Sequence, residues 1–226
     1  MTSTLSFSRD VPAPRHPGTF IVFEGGDGSG KTTQARLLQE RLEAQGRKVT
    51  LTREPGGTEI GEKIRSLVLD HGQGEIDPHT EALLYAASRA AHAHQLIAPA
   101  LDAGRIVICD RYIDSSAAYQ GAGRGLGEAT VTDLSRWATE DLLPDLTVVL
   151  SVDVADARGR VTARGAEDRL ESEPDDFHAR VRESFRALAR DASAKRVRVD
   201  GIGAVDEVAA RVWDAVHPHL PEEGPR

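Results

Sequence analysis

Eight consecutive residues, from Gly25 to Thr32, have the types and the spacing of a phosphate-binding loop. They match the pattern G-x-x-x-x-G-K-[ST]. Glycines let successive backbone N–H groups curl around phosphate oxygens, and the helix that follows points the positive end of its dipole at the anion. In this pattern the lysine reaches the β- and γ-phosphates and the last hydroxyl binds Mg²⁺. The sequence therefore predicts a nucleoside-triphosphate site made of Gly25, Gly26, Asp27, Gly28, Ser29, Gly30, Lys31 and Thr32.

Two arginines follow predicted strands further along the chain. Arg53 comes after residues 48–52, and Arg111 comes shortly after residues 105–109. Ligands bind at the carboxyl ends of the strands in an open parallel sheet, so both side chains are expected beside the phosphate loop. Several arginines that converge there favour binding of a second anion over ordinary surface charge. Asp110, between the strand and Arg111, is predicted to lie near the metal.

Tyr85 and Arg89 lie four residues apart on a predicted helix, so their ring and guanidinium share one face. The pair could stack on a nucleotide base and hydrogen bond with its edge. Tyr85 could equally pack in the core, with Arg89 extending past it to solvent. The residue types leave both interpretations open. Ser116 and Tyr119 share a face in the same way if a helix begins at Ser115.

Strand and helix signals alternate along the chain, and this alternation predicts an α/β fold. Strands are predicted at residues 19–23, 48–52, 105–109, 146–152 and 197–199. Helices are predicted at residues 31–45, 59–69, 78–101, 153–164, 174–190 and 205–216, with a further one that ends near 138. Right-handed crossovers then give a parallel sheet of about five strands between layers of helices, the three-layer architecture of P-loop NTPases.

Composition narrows the classes of function. The 226 residues suit one domain, predicted at 19–217 between flexible tails at 1–18 and 218–226. A formal net charge of −8 argues against binding to nucleic acid or to a membrane surface. A single cysteine, Cys109, and the lack of a signal-peptide pattern point to the cytoplasm.

These motifs together resemble the thymidylate kinase family, which phosphorylates dTMP with ATP as a step in dTTP synthesis. The resemblance extends from about Phe20 to Val216. It rests on the phosphate loop, on TREPGGT at 52–58, on YAASR at 85–89 and most specifically on ICDRYIDSSAAYQG at 108–121. It implies a fold of the nucleoside-monophosphate kinase type, ATP and dTMP as substrates, Mg²⁺ as cofactor and a homodimer.

The resemblance also implies roles for individual residues. Arg53 and Arg111 would contact the acceptor phosphate, while Arg89 would contact the thymine edge. Tyr85 would stack on the base, at a position where the family commonly has Phe. Tyr119 would pack against the sugar. The implied dTMP site comprises Asp27, Arg53, Tyr85, Arg89, Arg111, Ser116, Tyr119 and Gln120, and the implied metal site comprises Thr32 and Asp110.

A stretch at residues 154–173 that contains a cluster of four arginines resembles the mobile lid of this family. In the bacterial type, an arginine from the lid approaches the transferring phosphoryl group, and the phosphate loop here agrees because it contains Gly28 and no arginine. The four arginines of the stretch are Arg158, Arg160, Arg164 and Arg169. Arg160 and Arg164 are the candidates for catalysis. The other expected catalytic residues are Asp27, Lys31 and Arg111.

Two alternatives are kinases on the same fold, and two others belong to different classes. A deoxynucleoside kinase, in which Glu24 or Asp110 would deprotonate a sugar hydroxyl, leaves Arg53 and Arg111 without a phosphate to bind; another nucleoside-monophosphate kinase on the same fold would differ in its substrate. A GTPase switch is excluded because no lysine follows Asn. A histidine-based metal site is disfavoured, since the histidines at 92 and 94 point apart on a helix and are expected to be ordinary surface residues.

Overall fold

The structure, a computed structural model, describes residues 16–152, 168–190 and 195–221. Five strands belong to this part of the chain: β1 (Thr19–Glu24), β2 (Val49–Arg53), β3 (Ile106–Asp110), β4 (Leu146–Ser151) and β5 (Arg196–Asp200). The helices that flank them are α1 (Lys31–Ala44), α2 (Glu59–Leu69), α3 (Pro78–His92), α4 (Ala98–Asp102), α5 (Ile113–Ser116), α6 (Glu128–Ala138), α7 (Asp175–Arg190) and α8 (Val205–Val216). Two π-helical segments, Ala93–Ile97 and Ala117–Gly123, continue α3 and α5, and a 3₁₀ turn, His217–His219, follows α8.

The strands form one sheet in the order β2-β3-β1-β4-β5, and all neighbouring pairs are parallel. Every residue of the central strand β1 is buried. This explains its unbroken apolar sequence, because a parallel strand covered on both faces has no side that favours polar residues. The prediction of an α/β fold with about five parallel strands is therefore confirmed.

Alternate residues of β1 enter two separate cores. Ile21 and Phe23 pack with Leu42 of α1 and Val212 of α8 on one face of the sheet. Residues 20 and 22 point to the other face, where they pack with the helical segment that includes Leu101. Truncation of a buried leucine such as Leu42 would cost about 2–5 kcal/mol of stability. The sheet thus lies between two layers of helices and fixes which strand ends face the site.

Most predicted elements are present, with bounds that differ by one or two residues. The bounds of α2 and α8 agree with the prediction, and Asp77 caps α3 by accepting hydrogen bonds from the N–H groups of His79 and Thr80. The helix predicted at 78–101 is divided by the π-helical segment, two residues before Pro99, which cannot donate a backbone hydrogen bond. The helix predicted at 153–164 lies outside the described residues.

Candidate active site

The phosphate loop connects β1 to α1, as its sequence predicts. Gly25, Gly28 and Gly30 all have positive φ, at 139°, 76° and 94°. Residues other than glycine rarely adopt such φ angles, so these glycines let the chain turn sharply between strand and helix. Gly25 also lies against the backbone of Leu150 in β4, because a Cβ atom placed on it would lie 2.4 Å from that carbonyl oxygen.

Lys31 lies inside the curl of the loop. Its Nζ donates hydrogen bonds to the carbonyl oxygens of Gly25 at 2.9 Å and Gly26 at 2.8 Å. Burial, together with the positive charge of Arg111, lowers the pKa of Lys31 to about 8, although nearby carboxylates oppose this shift. An anion in the loop would favour the charged ammonium, because opposite charge at short range raises the pKa of a lysine.

Thr32 and Asp110 join the phosphate loop to the end of β3. The Thr32 hydroxyl donates a hydrogen bond of 2.5 Å to Oδ2 of Asp110. The other carboxylate oxygen, Oδ1, is buried and accepts no hydrogen bond in the structure. A hydroxyl beside a carboxylate oxygen that lacks a partner suits Mg²⁺, a cation that prefers oxygen ligands and keeps several of its waters.

Asp27, Arg111 and Tyr119 form a polar cluster across the site. The Asp27 carboxylate accepts hydrogen bonds from the Arg111 guanidinium and from the Tyr119 hydroxyl. Burial alone would raise the pKa of Asp27, but Arg111 and then Lys31 lower it on balance. Asp27 is thus an anion at neutral pH, and it holds Arg111 beside the phosphate loop.

Arg111 adopts a left-handed backbone conformation, with φ of 72°. Its N–H donates to the carbonyl of Phe23 in β1, and its side chain also reaches Ser115 Oγ at 3.2 Å. A positive φ is uncommon for a residue with a side chain and turns the chain abruptly. The turn directs the guanidinium back towards the loop after β1.

Glu24 stabilises the segment that follows Arg111 through hydrogen bonds. Its carboxylate accepts hydrogen bonds from the N–H groups of Tyr112, at 2.8 Å, and Ser115, at 3.1 Å, and from the Ser115 hydroxyl at 2.6 Å. Burial and then the charge of Asp114 raise the pKa of Glu24 to about 7. Glu24 is 0% exposed, so it has no path to a substrate hydroxyl. This placement argues against the deoxynucleoside kinase in which Glu24 is the base.

Arg89 is buried, with 1% of its surface exposed. Nε donates to Glu54 at 2.7 Å, Nη1 donates to Ser135 Oγ at 2.9 Å, and Nη2 donates to Tyr112 O at 3.0 Å and Ser116 Oγ at 2.9 Å. The interpretation in which Arg89 extends to solvent is therefore wrong. Its sequence neighbour on the same face, at position 85, is also buried and packs with the rings of residues 119 and 177.

The remaining predicted acceptor residues differ in how they are held. The Arg53 side chain is 48% exposed and pairs with Glu62 at 2.9 Å. Gln120 is 1% exposed, and its Nε2 donates to the buried Glu81 at 3.0 Å. Its Oε1 is buried without a hydrogen-bond partner, so this amide still has an acceptor available for a ligand.

One cavity of about 440 Å³ brings most of the predicted residues together. The predicted site residues that line it are Asp27, Gly28, Gly30, Lys31, Thr32, Arg53, Tyr85, Arg89, Asp110, Arg111, Ser116, Tyr119 and Gln120. Gly26 instead lines a neighbouring cavity of about 700 Å³. The candidate lid arginines Arg160 and Arg164, and also Arg158, lie outside the described residues. Arg169 is within them, and it pairs with Glu81 at 2.5 Å.

Two buried residues were missed or misjudged in the sequence. His92 was expected at the surface, but it is 0% exposed and bonded on both ring nitrogens, so that expectation is wrong. Glu81 is also 0% exposed, and Arg124, Arg169 and Gln120 donate to it. Helical spacing contained a signal for both residues, because Glu81 lies four residues before Tyr85 and His92 three residues after Arg89, near the same face.

Residues 16–152, 168–190 and 195–221 contain no group of three or more His, Cys, Asp or Glu side chains placed to hold a metal ion. No helix within these ranges combines the length and the apolar character that a membrane span requires.

Comparisons with known proteins agree on one family. The family model described as thymidylate kinase matches residues 23–212. The thymidylate kinase of Leifsonia xyli subsp. xyli (strain CTCB07) is 53% identical over 203 residues, covering 89% of this chain and 95% of the relative. That of Synechococcus sp. (strain JA-3-3Ab) is 48% identical over 209 residues, covering 92% and 99%. The crystal structure of thymidylate kinase from Ehrlichia chaffeensis matches with a TM-score of 0.72 at 33% identity, covering 88% and 98%.

Proposed function

The chain belongs to the thymidylate kinase family and phosphorylates dTMP to dTDP, and we propose that it does so by in-line transfer of the γ-phosphoryl group of ATP in the 440 Å³ cavity. The observation that carries this proposal is the contact between Arg111 and Asp27. It places a guanidinium beside the phosphate loop, so that one cavity holds cationic groups for two phosphates. Transfer between two phosphates requires alignment and charge stabilisation more than it requires a base.

The donor half is formed by the phosphate loop. Backbone N–H groups and the start of α1 bind the phosphates of ATP, and Lys31 exchanges its hydrogen bonds with loop carbonyls for bonds to the β- and γ-phosphates. Thr32 and Asp110 hold Mg²⁺, supported by the carboxylate oxygen of Asp110 that has no other partner. When bound, Mg²⁺ neutralises charge that develops on the phosphates.

The acceptor half is formed by the other side of the cavity. Arg111 and Arg53 bind the phosphate of dTMP, and Tyr119 packs against the sugar. Asp27 holds Arg111 in place and lies near the 3′-hydroxyl. This assignment gives Arg53 and Arg111 a phosphate to bind on the acceptor side of the cavity.

The base lies between Tyr85 and the groups around Arg89. Tyr85 stacks on the thymine ring, as aromatic side chains do with nucleotide bases. Arg89 lies at the thymine edge together with Ser116, which it already contacts. Gln120 accepts a hydrogen bond from the base through its Oε1, the buried oxygen without a partner. The candidate lid arginines, Arg160 and Arg164, stay a prediction for the charge that approaches the transferring group.

We further propose a homodimer in the cytoplasm. Large apolar side chains are exposed on three adjacent helices, with Leu83 of α3 at 58% and Trp137 of α6 at 51%. Ile60 and Leu67 of α2 extend this surface. Exposed large apolar side chains on helices that contact one another are typical of a protein interface. Light scattering on Leu83→Glu tests the dimer, since a charge on this apolar surface should yield monomers. A molecular mass equal to that of the wild-type protein would contradict the proposed interface.

The reaction is tested by ADP release with ATP across a panel of dTMP, dUMP, UMP, CMP and AMP, with thymidine as the acceptor that lacks a phosphate. We expect strong preference for dTMP and no turnover of thymidine. Omission of Mg²⁺ in the presence of a chelator should abolish turnover. Equal use of UMP, CMP or AMP would contradict the assigned acceptor site, and turnover of thymidine would favour the deoxynucleoside kinase.

A further inference from the structure

We propose that His92 is a positioning residue that holds the two halves of the dTMP site through two separate hydrogen bonds, one for each ring nitrogen. It supports the phosphate side through Thr52 and the base side through Glu54. This inference rests on the proposed function, in which Arg53 binds the phosphate of dTMP and Arg89 lies at the base. His92 itself does not line the cavity, so it acts only through its partners.

The geometry around the ring is complete on both sides. His92 is the last residue of α3 and is 0% exposed. Its Nε2 lies 2.7 Å from the hydroxyl oxygen of Thr52, and its Nδ1 lies 2.9 Å from Oε1 of Glu54. Both partners line the cavity. The ring therefore bridges the two residues on either side of Arg53 at the end of β2.

The partners fix the proton positions on the ring. Because the ionised carboxylate of Glu54 only accepts hydrogen bonds, Nδ1 of His92 must carry a proton. A neutral imidazole then has its lone pair at Nε2, which accepts a hydrogen bond from the Thr52 hydroxyl. The charge of Glu54 is balanced by Arg89, at 2.7 Å.

The phosphate side depends on Arg53, the last residue of β2, and on the loop that follows it. This loop passes over the ring at Gly57, which has φ of 80°. A Cβ atom on Gly57 would lie 2.6 Å from the Cδ2 and Nε2 atoms of His92 and 2.8 Å from Thr52 Oγ1. Backbone and ring are therefore in direct contact, and the hydrogen bond to Thr52 fixes the residue just before Arg53.

The base side depends on the direction of the Glu54 carboxylate. One of its oxygens accepts from His92 and the other from Nε of Arg89. With the first oxygen released, the carboxylate can rotate, and Nε of Arg89 loses its fixed acceptor. The terminal nitrogens of Arg89 keep their bonds to other groups, so the guanidinium shifts rather than leaves the site. Groups that orient a functional side chain in this way typically contribute about 10- to 100-fold to binding or activity at metal sites, and we expect a similar scale here.

Two substitutions separate the two hydrogen bonds. His92→Asn places an amide N–H near the position of Nδ1 and keeps the bond to Glu54, while His92→Gln reaches the position of Nε2 and keeps the bond to Thr52. Both remove the ring, and they differ from each other by one methylene group. Calorimetry with thymidine reports on the base side alone, and calorimetry with dTMP reports on both sides. The KM for ATP, thermal unfolding and circular dichroism serve as controls.

We expect His92→Asn to weaken the binding of dTMP by about 10-fold and the binding of thymidine by less than 2-fold. We expect His92→Gln to weaken the binding of both ligands by about 10-fold. The KM for ATP should stay within about 2-fold of wild type in both variants. Equal effects of the two variants on both ligands, or no effect on either, would overturn the inference. If a His92 variant does not fold, a change in its partner replaces it. Thr52→Val should then give the binding pattern expected of His92→Asn, and Glu54→Gln should give the pattern expected of His92→Gln. Wild-type protein that binds no dTMP would instead refute the proposed function.

Discussion

The hydroxyl of Thr32 donates to Oδ2 of Asp110 across 2.5 Å and so joins the first turn of α1 to the last residue of β3. In the sheet, Asp110 lies opposite Arg53 of β2 and opposite Phe23 of β1. The ends of these three strands therefore lie at one edge of the sheet. The other carboxylate oxygen of Asp110 is buried and unpaired.

Asp110→Asn should reduce kcat about 10- to 100-fold and raise the concentration of Mg²⁺ needed for half-maximal activity. The amide keeps the size of the side chain but removes the charge beside the proposed metal. Thr32→Ser is the matched control, since it keeps the hydroxyl and should retain most of the activity. Titration of activity with Mg²⁺ measures both variants. A Mg²⁺ dependence equal to that of wild type in Asp110→Asn would contradict the metal site.

Arg111→Ala should raise the KM for dTMP and lower kcat together, with a combined loss in kcat/KM of at least about 100-fold. Both positioning of the acceptor and stabilisation of charge are lost, and Asp27 is left without its cationic partner. Arg111→Lys keeps one positive charge but not the planar fork of the guanidinium, so its kcat/KM should lie between those of wild type and Arg111→Ala. Steady-state kinetics with varied dTMP provide the measurement, and an unchanged kcat/KM would exclude the assignment.

Glu24→Gln should change how stability depends on pH. The folded pKa of Glu24 is about 7, raised from an ordinary value of 4.5, so the folded state binds more protons than the unfolded chain between these values. The contribution of Glu24 to wild-type stability is therefore full below pH 4.5 and is lost as pH rises through 7, by an amount on the order of 3 kcal/mol. Gln cannot ionise and removes this decrease.

Urea unfolding at several pH values from 4.5 to 8 measures the Glu24 effect. The difference in free energy of unfolding between Glu24→Gln and wild type should move in favour of the variant as pH rises, and it should level off above pH 7. Glu128→Gln, at an exposed position on α6, is the matched control. A difference that stays constant with pH would show that Glu24 does not titrate in this range.

Tyr85→Phe should keep the KM for dTMP within about 3-fold of wild type, because stacking requires only the ring. Tyr85→Ala should raise it roughly 10- to 100-fold, since stacking of one base contributes about 1–3 kcal/mol. The KM for ATP should not change in either variant. A large effect of Phe would indicate that the hydroxyl, not the ring, contacts the substrate.

Local sequence predicted the parts of the site that depend on backbone geometry. Gly25, Gly28 and Gly30 mark the turn between a strand and a helix, because only glycine adopts their φ angles without strain. Arg53 and Arg111 could be placed at one edge because parallel strands end on the same side of a sheet. The acidic composition and the alternating elements gave no information on which side chains are held inside.

Burial and pairing were decided by tertiary structure. Nothing local shows that His92 is covered by Gly57 and bonded to Thr52, since these contacts join positions that lie about 40 residues apart. The same holds for Arg89, whose partners come from three other parts of the chain. The sequence by itself determined the phosphate loop and the order of the elements, because φ preference and apolar periodicity are properties of short segments. Only the packed structure decided which polar side chains pair in the interior, because a buried polar group must find its partner among residues brought together by folding.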